Sequence, residues 1–250
     1  MERNIIYLER TGSTNEDAKR LAAEGADSGT VIVADCQEAG KGRRGRNWIS
    51  PPGTNLYFTL LLKPDFSPDK ASMLTLVMAL SVAQALESET KICPGIKWPN
   101  DIVHNGRKLC GILTEMTLDA GAIGAVVIGV GVNVTQTEFP EELKETATSL
   151  VLEGAAVPDR MQLLNRILEY FDKNYEIYLQ RLNLSGLRES YEKYLVNRGR
   201  QVRVLDPAGE YEGKALGINE SGELLVETAD GNVSRVYAGE VSVRGIYGYV

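Results

Sequence analysis

The stretch "GKGRRGR", residues 40–46, sets Lys41, Arg43, Arg44 and Arg46 among Gly40, Gly42 and Gly45. Arginine offers a planar fork that matches phosphate or carboxylate, and glycine lets the backbone approach a ligand and rearrange. Without an anion, neighbouring cations repel by roughly 1 kcal/mol per close pair in water. Such a strap suits a clamp that is loose when empty and orders over an anion. Other readings of the same letters are a solvated surface turn and an RNA-binding patch. The spacing also satisfies G-x-G-x-x-G, but a dinucleotide turn needs a helix directly after it, and "NWISPPGTN" follows here. No P-loop pattern is present. A net charge of -7 and the lack of interleaved aromatics weigh against RNA.

Two further stretches carry chemistry. "KWPND" groups Lys97, a tryptophan, a rigid proline, Asn100 and Asp101. "GRKLCGIL" brings Lys108 back after a turn. His104 is the single histidine, which argues against a Ser-His-Asp triad and a Cys-His pair and leaves no two-histidine metal site. It stands beside Asn105-Gly106 and reads as an exposed turn residue. Cys36, Cys93 and Cys110 are an odd set with no C-x-x-C pair, which implies reduced thiols in a cytosol. The first ten residues have no apolar signal core, and the longest apolar run, residues 73–86, is too short to span a bilayer. The expectation is a soluble cytoplasmic protein without membrane attachment.

The elements that must position these residues follow from periodicity. Ser13 with Glu16 forms a capping box opening a helix with Ala18, Leu21 and Ala22 on one face, stopped by Gly25. Residues 30–35 read as a strand, and residues 55–63 as a strand buried on both faces. Ser67 caps and Pro68 begins an apolar helix reaching about Glu87. Asn105-Gly106 marks a hairpin. Residues 125–134 form another buried strand, and a helix starts at Pro140. Leu164, Ile167, Leu168, Phe171, Tyr175, Tyr178 and Leu182 give a long amphipathic helix over residues 159–182, with a shorter one over 185–195. From Gly199 onward only short strands and turn signals remain. The boundary falls at 197–199, giving units 1–197 and 198–250.

"GSTN", "QEAGKGRRGRNW", "KWPND", "RKLCGIL" and "GVGVN", in this order and with these gaps, resemble the biotin–protein ligases from Glu9 onward. The resemblance implies an α/β catalytic domain of the class II synthetase-like type, with a mixed sheet backed by helices, and a small SH3-like β-barrel. It implies ATP and Mg²⁺ as co-substrate, biotin as substrate, a biotin carboxyl carrier protein as acceptor, and a homodimer formed by sheet extension. The motifs begin at Gly12, which leaves no room for the N-terminal DNA-binding domain that some members carry, so no DNA binding is expected.

Residue by residue, the resemblance assigns Ser13, Thr14, Asn15 and Gln37 to the ureido end of biotin. Gly40, Lys41, Gly42, Arg43, Lys108 and Gly111 complete the biotin site. Arg43, Arg46, Trp48, Lys97, Asn100 and Asn133 fall on the ATP side, Lys97 facing phosphate or forming a structural ion pair. Lys108, Arg43 and Asp101 take the catalytic roles: two cations at the carboxylate–phosphate junction, and a carboxylate that orients the incoming lysine amine or accepts its proton. Mg²⁺ is placed near Asn100, Asp101 and Asn133. Lys41 stands where the family more often has Arg, and Cys110 stands where a small residue is usual. The nearest rival is a lipoate–protein ligase, though the polar "GSTN" favours biotin over an apolar lipoyl head.

Overall fold

The computed structural model describes residues 3–206, 209–238, 242–245 and 249–250. The chain opens with β1 (Ile5–Thr11), α1 (Thr14–Ala23), β2 (Val31–Gln37) and β3 (Leu56–Leu62). A 3-10 turn at Pro68–Met73 leads into α2 (Leu74–Thr90). Four strands follow: β4 (Gly95–Lys97), β5 (Asp101–His104), β6 (Arg107–Asp119) and β7 (Ala122–Val132). The helices α3 (Arg160–Leu179) and α4 (Arg188–Tyr194) come next. The remaining strands are β8 (Gln201–Leu205), β9 (Tyr211–Ile218), β10 (Leu224–Glu227), β11 (Val233–Val236) and β12 (Ser242–Gly245).

Seven strands make one mixed sheet, ordered β1-β2-β3-β7-β6-β5-β4. β1 and β2 run parallel across α1, and the other neighbours are antiparallel. Period 2 sorts its two faces. Leu56, Phe58, Leu60 and Leu62 of β3, with Val126, Ile128, Val130 and Val132 of β7, enter the main core beneath α2 and α3. Leu61, Ala125 and Val127 turn to the opposite face and pack with Ala18 of α1. Each fully buried Leu or Ile there contributes about 1.5–3 kcal/mol. Continuing that second face along β7 leads to Gly129 and Gly131, where the hydrophobic filling stops and a cavity begins.

α2 is apolar all round because it is covered all round. Residues 68–90 are long and apolar enough to cross a membrane, yet 72% of that apolar window is buried inside the fold. Asn174 of α3 donates to Ser81 Oγ and Gln84 Oε1 of α2 at 2.9 and 2.8 Å, fixing the register of the pair.

The C-terminal strands form a five-stranded antiparallel sheet, ordered β11-β10-β9-β8-β12. Its apolar residues join the main core cluster. Trp98 is the pin: its indole Nε1 donates to Gly222 O at 3.0 Å, and its backbone N to Asn197 Oδ1 at 2.8 Å. The Trp98-Pro99 peptide is cis.

Several expectations need correction. Ser13 occupies the N-cap of α1 but makes no side-chain cap bond. Ser67 likewise makes none, its hydroxyl turning to the Asp69 carboxylate instead, and the first six residues of that segment are 3-10. Pro140 precedes only a single 3-10 turn, Glu141–Leu143. Leu182 lies beyond α3 at φ 50°, so the long helix ends at Leu179. β1 carries no sequence expectation; its short alternating pattern, with Tyr7 exposed, suits an edge strand.

Candidate active site

The cavity above Gly129 and Gly131 spans about 460 Å³ including its open mouth. α1 and β2 supply its polar end. Thr14 donates from both N and Oγ1 to Gln37 Oε1, at 3.0 and 3.1 Å. Gln37 Nε2 donates to Ser50 Oγ at 3.0 Å. Thr59 Oγ1 lies 2.8 Å from Thr14 Oγ1 and 2.6 Å from Asn15 Oδ1. Asn15 Nδ2 donates to Glu115 Oε2 at 2.8 Å. This buried end holds no charge except Glu115, and Lys19 neutralises that at 2.7 Å. It suits a neutral head group rich in donors and acceptors. Ser13, without a cap bond, lines the same cavity.

Glycines make room for the rest. A Cβ on Gly129 would come within 2.2 Å of Asn15 Oδ1, and one on Gly131 within 2.4 Å of Trp48 Nε1. One on Gly111 would meet Trp48 Cζ3 at 2.8 Å. The Trp48 indole therefore lies flat against two bare strands, and its buried Nε1 has no protein partner.

A second, larger cavity of about 1910 Å³ adjoins the first. Gly42, Arg43, Trp48, Asn100 and Lys108 line both. Arg46, Lys97, Asp101 and Asn133 line the larger one. Every expected biotin residue except Gly40 lines the smaller cavity, and every expected nucleotide residue lines the larger. Gly40 packs behind: a Cβ there would strike Trp48 O at 2.4 Å.

The strap closes between the two cavities. Gly42 N donates to Arg46 O at 2.7 Å, Trp48 N to Gly40 O at 2.8 Å, and Gly45 takes φ 71° in the 3-10 turn Arg43–Gly45. Arg43 donates to Asn100 Oδ1 at 2.9 Å and to Ala238 O at 2.7 Å. Where the sequence predicts a loose strap, protein oxygens already satisfy this fork. Lys41 lines the cavity, but its ammonium is 2.7 Å from Glu16 Oε1. Asn100 also donates to Ile112 O at 3.0 Å, so both ends of its amide are used. Asn133 donates to Thr148 O at 2.9 Å, which steadies the wall of the larger cavity.

The hairpin behaves as predicted, with Asn105 at φ 48° and Gly106 at φ 77°. It presents Lys108, whose Nζ is 2.7 Å from Asp101 Oδ1 and 5.2 Å from the Trp48 ring centre. Behind the turn, buried Glu153 accepts from Arg107 at 2.7 Å, Asn105 at 2.8 Å and Thr148 at 2.6 Å. His104 is not an exposed turn residue: its Nδ1 is 3.0 Å from Cys93 O and its Nε2 3.8 Å from Glu153. Cys110 is buried, as expected, and burial pushes its thiol far up.

Asp101 is the carboxylate at the junction. Burial pushes its carboxyl up, but Lys108, the Tyr249 hydroxyl and Lys97 outweigh burial and hold it below the usual carboxylate range. A carboxylate held below its ordinary range is a weaker proton acceptor and keeps its negative charge at neutral pH. Lys97 is buried with its Nζ 3.3 Å from the Tyr249 ring centre. Desolvation, opposed by Asp101 and helped by Lys108, lowers its ammonium to about 8. The ring beneath favours the cation and works against this shift.

Between Lys97's folded value of about 8 and its ordinary 10.5, the unfolded chain binds more protons than the folded one. Folding stability therefore rises with pH across that window on account of Lys97. In paired urea titrations the unfolding free energy of the wild type rises relative to that of Lys97→Met from pH 8 to pH 10; a constant difference contradicts the lowered ammonium.

The sequence alone does not single out Tyr249, Thr59, Glu115, Gly129 or Gly131. The two glycines stand inside "GVGVN" at strand spacing, so period-2 reading of that motif was the available signal. Tyr249 offered none, because it reaches the site through tertiary packing alone.

A mixed sheet carrying a polar pocket, a cationic strap and an adjoining cavity suits a ligase that joins a carboxylate to a phosphate. Residues 7–133 match the biotin/lipoate A/B protein ligase family, and residues 199–244 the biotin protein ligase C terminal domain. The chain belongs to the biotin/lipoate A/B protein ligase family. It is 38% identical over 245 residues to the bifunctional ligase/repressor BirA of Bacillus spizizenii, covering 97% of this chain and 75% of that one. It is 36% identical to the biotin--[acetyl-CoA-carboxylase] ligase of Mycobacterium tuberculosis, covering 96% and 88%. The biotin protein ligase of Aquifex aeolicus in complex with biotin and ATP superposes with a TM-score of 0.83 at 34% identity, covering 97% of this chain and 99% of that one.

Proposed function

We infer that this chain is an ATP-dependent biotin–protein ligase. The observation that carries the reading is the wall shared by the two cavities, where Arg43 and Lys108 stand. The smaller cavity takes biotin with its ureido end toward Ser13, Thr14, Asn15 and Gln37. The larger takes ATP, with Arg46, Trp48, Lys97, Asn100 and Asn133 on that side.

In the first step a biotin carboxylate oxygen bonds to the α-phosphorus and the bond to pyrophosphate breaks. The nucleophile is already ionised at neutral pH, so no base is required. Arg43 and Lys108 neutralise the two approaching anions and hold them in line. In the second step the amine of a protein lysine bonds to the acyl carbon, AMP departs, and Asp101 orients the amine. The acceptor in this reading is a biotin carboxyl carrier protein.

Mg²⁺ belongs to the same reading, near Asn100, Asp101 and Asn133, where phosphate oxygens and water would supply most of its ligands. Among the described residues no group of three His, Cys, Asp or Glu is disposed to hold a metal. Residues 1–197 would form the catalytic unit and 198–250 the C-terminal unit, a division supported by the C-terminal family match over 199–244. A homodimer by sheet extension is part of the proposal, with β1 and β4 as the outermost strands. Free Cys36, Cys93 and Cys110 accord with a reducing cytoplasm.

Incubation with labelled biotin, ATP-Mg²⁺ and a carrier domain tests the activity. Label on the carrier is expected. Transfer of lipoate alone would make the chain a lipoate ligase, and neither transfer with salt-sensitive RNA retention would make the strap an RNA patch.

A further inference from the structure

The carboxylate at the junction is held by a residue from the far end of the sequence. Tyr249 donates its hydroxyl to Asp101 Oδ2 at 2.5 Å while its ring lies 3.3 Å under Lys97 Nζ. It lines the larger cavity together with Arg244. Gly245 makes this approach possible: a Cβ there would meet Val250 O at 2.2 Å, so Val250 lies close against β12. Asp101 Oδ1 is different. It is buried, and its close partner is the Lys108 ammonium at 2.7 Å.

We propose that Tyr249 is a positioning residue for the acyl-transfer step, acting through Asp101. The proposal rests on the ligase reading above. Lys108 is needed at the acyl-phosphate while the anhydride forms. Once it turns there, Oδ1 is left facing the junction without a partner, and an unpartnered buried acceptor attracts the next available donor. The incoming lysine amine brings N–H donors. Tyr249 keeps Oδ2 occupied throughout, so the carboxylate cannot rotate to follow Lys108 and Oδ1 stays aimed at the amine. The amine nitrogen then bonds to the acyl carbon, the acyl C–O bond to phosphate breaks, and AMP leaves with that electron pair. The proton released by the amine passes to water in the open cavity. The Tyr249 proton is kept in place because burial and Asp101 both push its hydroxyl upward. The ring has a separate task beneath Lys97, so hydroxyl and ring can be removed separately.

Tyr249→Phe keeps the ring and deletes the donor. Adenylate formation, measured by single-turnover pyrophosphate release, is expected to stay within about twofold of wild type. Transfer from preformed biotinyl-5'-AMP to a carrier domain is expected to slow about tenfold, corresponding to a lost hydrogen bond of about 1.4 kcal/mol. The loss falls on the maximal rate, with the carrier KM unchanged. Tyr249→Leu, which deletes ring and hydroxyl, is expected to lose at least as much in transfer. Wild-type transfer rates in Tyr249→Phe overturn the proposal, and so does a parallel fall in both steps or a defect confined to Tyr249→Leu. A wild-type protein that forms no adenylate refutes the ligase reading instead.

Discussion

Replacing Lys108 by alanine slows formation of biotinyl-5'-AMP by about two to three orders of magnitude, the usual range for removing one preorganised charge-stabilising group. Lys108 lines both cavities and is held in reach by the Asn105-Gly106 turn and Glu153. Two anions must meet beside it, and without its ammonium Arg43 is the one cation among the described residues that lines both cavities. The fold survives, because the lysine leaves its ion pair with Asp101 and its place over the Trp48 ring, and Tyr249 still donates to that carboxylate. Lys108→Arg keeps the charge and recovers part of the rate, but its wider fork is misplaced against Trp48. Single-turnover pyrophosphate release with a thermal melt as control makes the measurement. An unchanged rate in a folded Lys108→Ala protein removes this residue from the chemistry.

Gly131→Val is expected to abolish adenylate formation while leaving the fold intact. Valine suits a β-strand, so β7 tolerates it locally. Its side chain, however, grows into the space of the Trp48 indole, where even a Cβ would lie 2.4 Å from Nε1. The Trp48 backbone is itself fixed, its N donating to Gly40 O at 2.8 Å. The ring must leave, and the wall shared by both cavities leaves with it. Calorimetry is expected to show biotin affinity reduced at least about a hundredfold, the cost of a displaced aromatic wall at about 2.7 kcal/mol or more. Gly124→Val, on the same strand beyond the cavity, serves as control. Equal biotin affinity in Gly131→Val contradicts the placement of Trp48.

These two residues illustrate how legible the molecule is in its sequence. Lys108 is readable because a hairpin turn is a local signal: Asn and Gly at a two-residue loop fix the register that presents it. The buried strands, α3 and the five C-terminal strands are readable for the same reason, their periodicity being a property of neighbours in sequence. Gly131 is half readable. Its alternation with Gly129 is plain, but that the bare face meets an indole and not a helix depends on where residue 48 is carried. Ser13 misleads, because a serine at an N-cap suits both a cap and a ligand, and only tertiary structure shows the cap bond unmade. Trp98 stands in "KWPND" with no role assigned from sequence, and the structure spends it on joining the two sheets. Tyr249 and the Arg43 bond to Ala238 O are invisible in sequence, since each spans about 150 or more residues of chain.

The central claim is that the strap of residues 40–46 and the Lys108 hairpin close on the junction between biotin and AMP. A crystal structure with biotinyl-5'-AMP bound tests it most directly. The account predicts the acyl-phosphate at the wall shared by the two cavities, with the Arg43 guanidinium turned from Ala238 O to within about 3 Å of it. Lys108 lies on the same group, and the ureido ring rests on Thr14, Asn15 and Gln37. An adenylate bound elsewhere, or a strap pointing into solvent away from the acyl-phosphate, would contradict it.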